Sequence, residues 1–137
     1  MPLDTAPART PLVVMKFGGT SVSDPDRIRE VAEHIARTKR RGSQVVAVVS
    51  AMGKETDELI RLAHAVSDVR PGREMDMLVT AGERKAMALV CMALHSLGVG
   101  ADSFTGSQAG LLTDTAHTNA KIIDMRTERS RAALDAG

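Results

Sequence analysis

Two near-continuous apolar runs constrain the fold of this chain more than any other feature. Residues 12–17 (LVVMKF) lie between Pro11 and a Gly18-Gly19 pair, and residues 44–50 (QVVAVVS) precede a second polar loop. Apolar runs of this length favour buried strands, and unbroken ones are typical of parallel sheets covered by helices. An amphipathic stretch follows each run, so the order strand–helix–strand–helix predicts an α/β fold with a largely parallel sheet.

The boundaries of the other elements follow from capping and turn residues. The first helix is predicted to begin near Pro25, behind a Ser23 or Asp24 cap, and to end at Gly42. A second helix is predicted from about Thr56. The remaining elements are a helix over residues 74–97 that contains Gly82, a strand at 101–104, loops with short extended pieces over 105–118, a strand at 121–125 and a helix over 127–136.

Length and composition indicate one globular domain. The chain has 137 residues, of which 43% are hydrophobic and 26% charged. We interpret residues 1–11 as a disordered lead and residues 12–137 as the folded part. The chain stops where a helix ends, which leaves open an incomplete domain or a domain that finishes on an edge helix.

Charge and cysteine content exclude several classes of partner. Lys plus Arg number 18 against 17 for Asp plus Glu, which gives no electrostatic basis for binding nucleic acid or a membrane surface. The single cysteine, Cys91, excludes an intramolecular disulfide and fits a reducing compartment. No apolar run approaches the roughly 20 residues of a membrane span, and no secretory signal is apparent. We therefore expect a cytoplasmic protein.

The first candidate site is the segment at residues 16–21 (KFGGTS), between the first strand and its helix. Two glycines allow backbone N–H groups to approach an anion, and Lys16 can reach a phosphate as a point charge. The positive end of the following helix is expected nearby. The segment matches neither the Walker A nor the dinucleotide pattern. A tight turn with a solvent-facing lysine remains the alternative interpretation.

The second candidate site is the polar loop at residues 50–57, at the corresponding end of the second strand. Ligands of open α/β sheets bind at the carboxyl ends of strands, so this loop and the first one are expected to border one crevice. A helix-capping role for Thr56 or Asp57 is also expected, and it does not exclude contact with a ligand.

Two further segments could take part. Glu83 follows Gly82 inside an apolar helical stretch, where a carboxylate needs a partner or a ligand such as an ammonium group. The alternative is a surface glutamate paired with Arg84 or Lys85. Residues 103–110 (SFTGSQAG) are dense in glycine and hydroxyl groups and predict a structured loop. Cys91 is interpreted as a packing residue, and the four scattered histidines show no metal-ligand spacing.

Several of these segments resemble one family. The segments KFGGTSV (residues 16–22), VVSAMGKETDEL (48–59), EMDMLVTAGE (74–83), SFTGSQAG (103–110) and HTNAKI (117–122) are similar to those of aspartate kinases, particularly the actinobacterial type. The resemblance runs in order from about Leu12 to Gly137. It implies the amino acid kinase fold, a three-layer α/β sandwich with a mainly parallel sheet.

The resemblance also implies an activity and a set of roles. The activity is ATP-dependent phosphorylation of the aspartate side-chain carboxylate to 4-phospho-L-aspartate, the entry step to lysine, threonine and methionine synthesis. Mg²⁺ is expected with ATP, and the family's members are usually homo- or hetero-oligomers. By this resemblance Lys16 is the catalytic, phosphate-stabilising cation; Phe17, Gly18, Gly19 and Ser50 line the nucleotide site; and Thr56, Asp57 and Glu83 hold aspartate, Glu83 by its ammonium group.

The chain departs from the family pattern in two ways. Shortly after Glu83 the family usually has an aliphatic residue, then Ser, then often Asn, and the corresponding residues of this chain are Lys85, Ala86 and Met87. The loss of the serine removes a hydroxyl beside the substrate. The family's second half is also absent, so the chain is expected to be an inactive fragment by itself. The alternative is a non-catalytic, kinase-like module that pairs with a full or split kinase.

Overall fold

The computed structural model describes residues 10–137, so most of the predicted lead at residues 1–11 lies outside the described part. The two predicted apolar strands and the helices that follow them are confirmed. The elements in chain order are β1 (Leu12–Phe17), α1 (Pro25–Arg40), β2 (Gln44–Val49), α2 (Glu55–Val66), α3 (Gly72–Ser96), β3 (Leu111–Thr113), β4 (Ile122–Met125) and α4 (Glu128–Ala136), with a 3-10 turn at Gly19–Val22.

Strands β1 and β2 pair in parallel, with Leu12 opposite Gln44 and Phe17 opposite Val49. Alternation along the strands gives the pair two different faces. Met15 and Phe17 face the hydrophobic core. On the other face Val14 remains 65% exposed, with Leu12 and Val48 about half exposed. In the described part of the chain, this second face is therefore apolar and open to water.

Helices α1 and α3 form the layer that covers the inner face of the sheet. Side chains of α1 point inward at helical spacing, as the apolar stripe predicts, and Val90 and Leu94 of α3 complete the cluster. The ring of Phe17 meets that of His34 edge-on, with 6.3 Å between centroids. No helix within residues 10–137 combines the length and apolarity needed to cross a membrane. The residues that α1 contributes to the hydrophobic core are Ile28, Val31, Ala32, Ile35 and Ala36.

The second half of the described chain corrects part of the predicted sheet. The strand expected at residues 121–125 is present as β4, but it pairs antiparallel with β3 in a separate two-stranded sheet. The prediction of a strand at residues 101–104 is wrong. This segment packs Ala101 against the core and gives its carbonyl to the ring of His95, but it forms no main-chain ladder with another strand.

Helix α1 begins as its sequence predicts. Pro25 occupies the first turn, and the Asp24 carboxylate accepts a hydrogen bond from the Arg27 N–H at 2.9 Å. A second bond comes from the Ser23 hydroxyl. The Arg27 N–H, with help from Ser23, lowers the pKa of the Asp24 carboxyl below its ordinary value of 3.8.

This cap predicts a pH-dependent contribution to stability. The folded pKa of Asp24 is lower than the unfolded one, so its stabilising effect is present above pH 3.8 and is lost as the pH falls through the folded value. We expect Asp24→Asn, which still caps but cannot titrate, to lose less stability on acidification than the wild type. Urea unfolding at pH values from about 2.5 to 6, which lie on both sides of the unfolded pKa, is the measurement. Parallel stability curves for the two proteins would contradict the prediction.

Candidate functional site

The two candidate loops, at residues 16–21 and 50–57, lie side by side because they follow the carboxyl ends of the paired strands β1 and β2. Phe17 lies opposite Val49, and the Ser50 N–H donates to the Phe17 carbonyl at 3.1 Å. Further along, the Gly53 N–H donates to the Gly19 carbonyl at 2.9 Å. The loops therefore border one edge of the sheet, as the sequence predicted, and a main-chain hydrogen bond ties them together.

The two glycines of the first loop have different roles. A Cβ on Gly19 would lie only 3.0 Å from the carbonyl oxygens of Ala51 and Gly53, so this position requires glycine for close backbone approach. A Cβ on Gly18 would meet no atom within 4 Å. Gly19 thus joins the two loops, whereas the backbone at Gly18 faces open space that a ligand can enter.

Lys16 lies at the same edge, one residue before the end of β1. Its side chain is exposed and forms no ion pair with any residue of the 10–137 segment. A free ammonium group beside an open glycine turn attracts an anion, and a phosphate group fits both features.

The helix contribution expected at this loop needs correction. Asp24 caps the N-terminus of α1 with its own carboxylate, which puts a negative charge where an anion would bind. The 3-10 turn, which begins at Gly19 and ends at Val22, lies between Gly18 and α1. The candidate anion site therefore consists of Lys16 and loop backbone, without the end of α1.

Thr56 and Asp57 belong to the first turn of α2, but they do not cap it. The helix begins at Glu55 behind Lys54, and no side chain supplies a cap hydrogen bond. Thr56 is half-buried and Asp57 exposed. The capping role predicted for these residues is wrong, and their polar groups remain available at the same edge of the sheet as Ser50.

Glu83 lies at the surface, which agrees with the predicted alternative of a surface glutamate and not with a buried carboxylate. It is exposed on α3, because the inward stripe of that helix consists of Gly82, Ala86, Val90 and Leu94, and Glu83 is turned about 100° away from it. The ion pair predicted with Arg84 or Lys85 is absent from residues 10–137, since Lys85 pairs with Glu55 instead. Ala86, where the resemblance implies serine, is fully buried.

Glu55 lies in the second candidate segment, but its sequence indicated no role for its side chain. Its carboxylate, not that of Glu83, is mostly buried, with 18% of the side chain exposed, and it pairs with Lys85 at 2.5 Å between Oε1 and Nζ. Its other oxygen, Oε2, is buried without a hydrogen-bond partner. Nothing in the local pattern marks Glu55, because its burial comes from α3, which lies far along the chain.

Gly82 permits this close packing. A Cβ on Gly82 would lie 3.2 Å from the Glu55 Cγ and 3.3 Å from the Ala51 Cβ. The glycine inside α3, which costs about 1 kcal/mol relative to alanine, is thus explained by the approach of the loop after β2.

Substitution of Gly82 by alanine is expected to destabilise the chain. Alanine gains about 1 kcal/mol of helix propensity, but crowding at Ala51 and Glu55 costs about 1–3 kcal/mol. We expect a net loss of about 1 kcal/mol in the free energy of unfolding, measured with urea. The exposed neighbour provides a control, since Ala81→Gly changes propensity alone and should cost a similar amount. A higher urea midpoint for Gly82→Ala would show that the contact is loose.

The loop at residues 103–110 is structured, as predicted, but by its own hydrogen bonds. The Thr105 N–H donates to the Gln108 side chain at 3.0 Å, and the Ala109 N–H donates to the Thr105 carbonyl at 2.8 Å. The loop borders an open cavity of about 440 Å³. The other side of this cavity is α3 at Arg84, Met87 and Ala88, so the loop lies beside that part of the helix.

Cys91 behaves as a packing residue in this structure. It is partly buried, and burial, with a smaller effect from Asp102, raises the pKa of its thiol above the ordinary value of 9.0. A hydrogen bond from Ser103 opposes this shift. A raised pKa leaves little thiolate at neutral pH, which is unfavourable for a nucleophile.

A parallel βαβ unit whose two loops meet at the carboxyl edge of the sheet defines the class of open α/β proteins, and the exposed Lys16 beside an open glycine turn makes that edge a candidate anion site. Comparison with family models identifies the particular family: residues 11–137 match the amino acid kinase family. The chain belongs to that family, and the α/β class predicted from the sequence is confirmed.

Within this family, the chain is similar to relatives that are named aspartokinase. The chain is 61% identical over 126 residues to the aspartokinase of Mycolicibacterium smegmatis and 60% identical to that of Corynebacterium glutamicum. Each match covers 92% of this chain and 30% of the relative. A crystal structure of aspartate kinase from Synechocystis is similar with a TM-score of 0.69 and 48% identity, over 72% of this chain and 17% of that chain. The chain thus spans about 30% of the length of the curated relatives it matches.

Proposed function

We propose that this chain forms the nucleotide-phosphate side of an aspartate kinase active site. The reaction is the ATP-dependent phosphorylation of the aspartate side-chain carboxylate to 4-phospho-L-aspartate. The observation that carries the proposal is the hydrogen-bonded pair of loops, Gly53 N–H to Gly19 carbonyl, beside the free ammonium group of Lys16. The similarity to relatives named aspartokinase supports the choice of substrate.

The residues at the sheet edge suit phosphoryl transfer. This reaction depends on positioning and on neutralising the charge of the transferred group more than on covalent chemistry by the protein. In this proposal Lys16 stabilises that charge, while the backbone at Phe17, Gly18 and Gly19 and the Ser50 hydroxyl line the phosphates. The open space at Gly18 and the close contact at Gly19 fit a loop that receives an anion from one side only.

The remaining roles concern the amino acid. Thr56 and Asp57 lie in the first turn of α2, just after the loop that contains Ser50, and are assigned to aspartate binding. Glu83 is exposed and therefore free to accept a hydrogen bond from the substrate ammonium group. These assignments rest on the family resemblance, with exposure as their physical support.

ATP and Mg²⁺ are the proposed cofactors. The lysine and glycine groups fit the phosphates of ATP. Mg²⁺ bound to those phosphates would neutralise charge during transfer. Within residues 10–137 no three His, Cys, Asp or Glu side chains cluster closely enough to hold a metal, so no protein ligand is assigned to it. The proposed location is the cytoplasm, and the proposed assembly is an oligomer.

A chimeric enzyme tests the proposed function. In this chimera the chain replaces the 126 residues that it matches in the Mycolicibacterium smegmatis aspartokinase. We expect the chimera to form aspartyl phosphate from MgATP and L-aspartate, detected by trapping with hydroxylamine. The unmodified relative is the control. A folded chimera without activity would contradict the proposal and favour the non-catalytic interaction module.

A further inference from the structure

The ion pair between Glu55 and Lys85 differs from the others in the described chain. It joins the first residue of α2 to the middle of α3. The Glu55 side chain is only 18% exposed, whereas the carboxylates of the other ion pairs within residues 10–137 are at least 42% exposed. Exposed ion pairs contribute little to stability. Among these pairs, the one between Glu55 and Lys85 therefore restricts the positions of its neighbours most strongly.

This pair is not an efficient way to stabilise the fold. The buried Oε2 of Glu55 has no hydrogen-bond partner, and an unsatisfied buried polar atom is destabilising. Only the Glu55 end is mostly buried, and an apolar side chain of similar volume there is often no less stable. Lys85 is 52% exposed, so its attraction to Glu55 is partly screened by solvent. Lys85 also stands where the family resemblance implies an aliphatic side chain. A role other than stability is therefore needed to explain the pair.

The surroundings of Glu55 connect it to the proposed phosphate site. Its side chain packs against Gly82 next to Ala51, and its N–H donates to the Met52 carbonyl at 2.9 Å. In the same loop, the Gly53 N–H donates to the Gly19 carbonyl. Residues 51–55 are thus held at one end by the ion pair and at the other by the glycine turn.

We propose that Glu55 and Lys85 are positioning residues for the loop at residues 51–55. Their ion pair fixes the first turn of α2 to α3, which holds Gly53 against Gly19 and sets the separation of the two loops at the sheet edge. The catalytic significance of this arrangement rests on the proposed function. The positioning itself is a property of the chain and can be measured without substrate.

Amide hydrogen exchange of the 137-residue chain, followed by NMR, tests this proposal. In Glu55→Met/Lys85→Met we expect the free energy of unfolding to remain at or above the wild-type value, while the Gly53 amide exchanges about tenfold faster. The Arg126 amide, which donates to the Gly110 carbonyl in the distant hairpin, is the internal reference. The conservative variant Lys85→Arg keeps the ion pair, so its Gly53 amide should exchange as slowly as that of the wild type.

Two outcomes would overturn the proposal. One is unchanged exchange at Gly53 in the double variant. The other is faster exchange at Gly53 and Arg126 alike, which would indicate a purely structural pair. If the double variant does not fold, Glu55→Gln, which removes the charge and keeps the shape, gives the same comparison.

A separate measurement tests the proposed nucleotide site independently of the positioning role of Glu55 and Lys85. MgATP added to the wild-type chain should slow exchange at the Gly18 and Gly19 amides if these loops bind phosphate. Absence of this protection would count against the proposed nucleotide site. It would leave the Gly53 comparison, which uses no ligand, as an independent result.

Discussion

Lys16→Met in the chimeric enzyme is expected to lower kcat by about 10³-fold, because a cation that neutralises transferred phosphate typically contributes an effect of this size. Lys16 is exposed at the carboxyl end of β1 and has no competing ion pair within the described residues, so its charge is available to a ligand. The substitution removes a solvent-facing group and should leave the unfolding midpoint nearly unchanged.

Lys54→Met provides a matched control for this result. Lys54 is also exposed and lies at the same edge of the sheet, immediately before α2, but it does not belong to the glycine turn. Lys54 belongs to the loop at residues 50–57, but its side chain is assigned no contact with nucleotide or aspartate, so its substitution should change kcat by less than about threefold. Equal losses for the two variants would mean that only the overall positive potential of the edge matters. A Lys16→Met enzyme with more than about a tenth of wild-type activity would remove Lys16 from the proposed catalytic role.

The purified 137-residue chain is expected to form no detectable aspartyl phosphate by itself. When the rest of the Mycolicibacterium smegmatis relative is supplied as a second polypeptide, we expect activity to appear. The reason is the open face of the β1–β2 pair, where Val14 is 65% exposed and Leu12 and Val48 are about half exposed. An apolar face of this kind is stabilised by contact with another layer of the domain.

Val14→Asp tests whether that face makes the contact. A buried, unpaired carboxylate opposes docking, so the restored activity should fall below detection. Val69→Asp makes the same change at a residue that is 76% exposed in the turn before α3, and it should have no effect. Activity of the purified chain alone would refute the first part of the prediction. Restoration that survives Val14→Asp would show that the second polypeptide docks elsewhere.

Local patterns were sufficient to predict the first half of the fold. The apolar runs of β1 and β2 and the cap at Asp24 each depend on residues within a few positions of one another. Their predictions therefore needed no knowledge of distant contacts, and the parallel register then brings the Gly19 and Gly53 loops together.

The errors come from contacts between distant parts of the chain. Residues 101–104 (ADSF) contain only one strand-favouring residue, Phe104, and a strand also needs a neighbour with free main-chain groups, which a local segment does not reveal. The sequence left open whether Glu83 is buried or at the surface, because a shift of one residue on α3 turns a side chain by about 100°. The true inward positions include Gly82 and Ala86, whose small size gives a weak hydrophobic signal. Glu55 could be found only from the packing of the loop against α3.

The order of elements has a consequence for how the chain acquires its structure. Residues 12–49 contain β1, α1 and β2, whose mutual contacts span fewer than 40 positions. Contacts that are local along the chain form early and quickly, since little loop entropy opposes them. During synthesis this unit can collapse as soon as β2 leaves the ribosome, before α3 exists to cover the remaining side of α1. We therefore expect the turn at Gly19 to form before α3 is synthesised. Its contact with Gly53 should become fixed only later, when α3 folds and Lys85 pairs with Glu55.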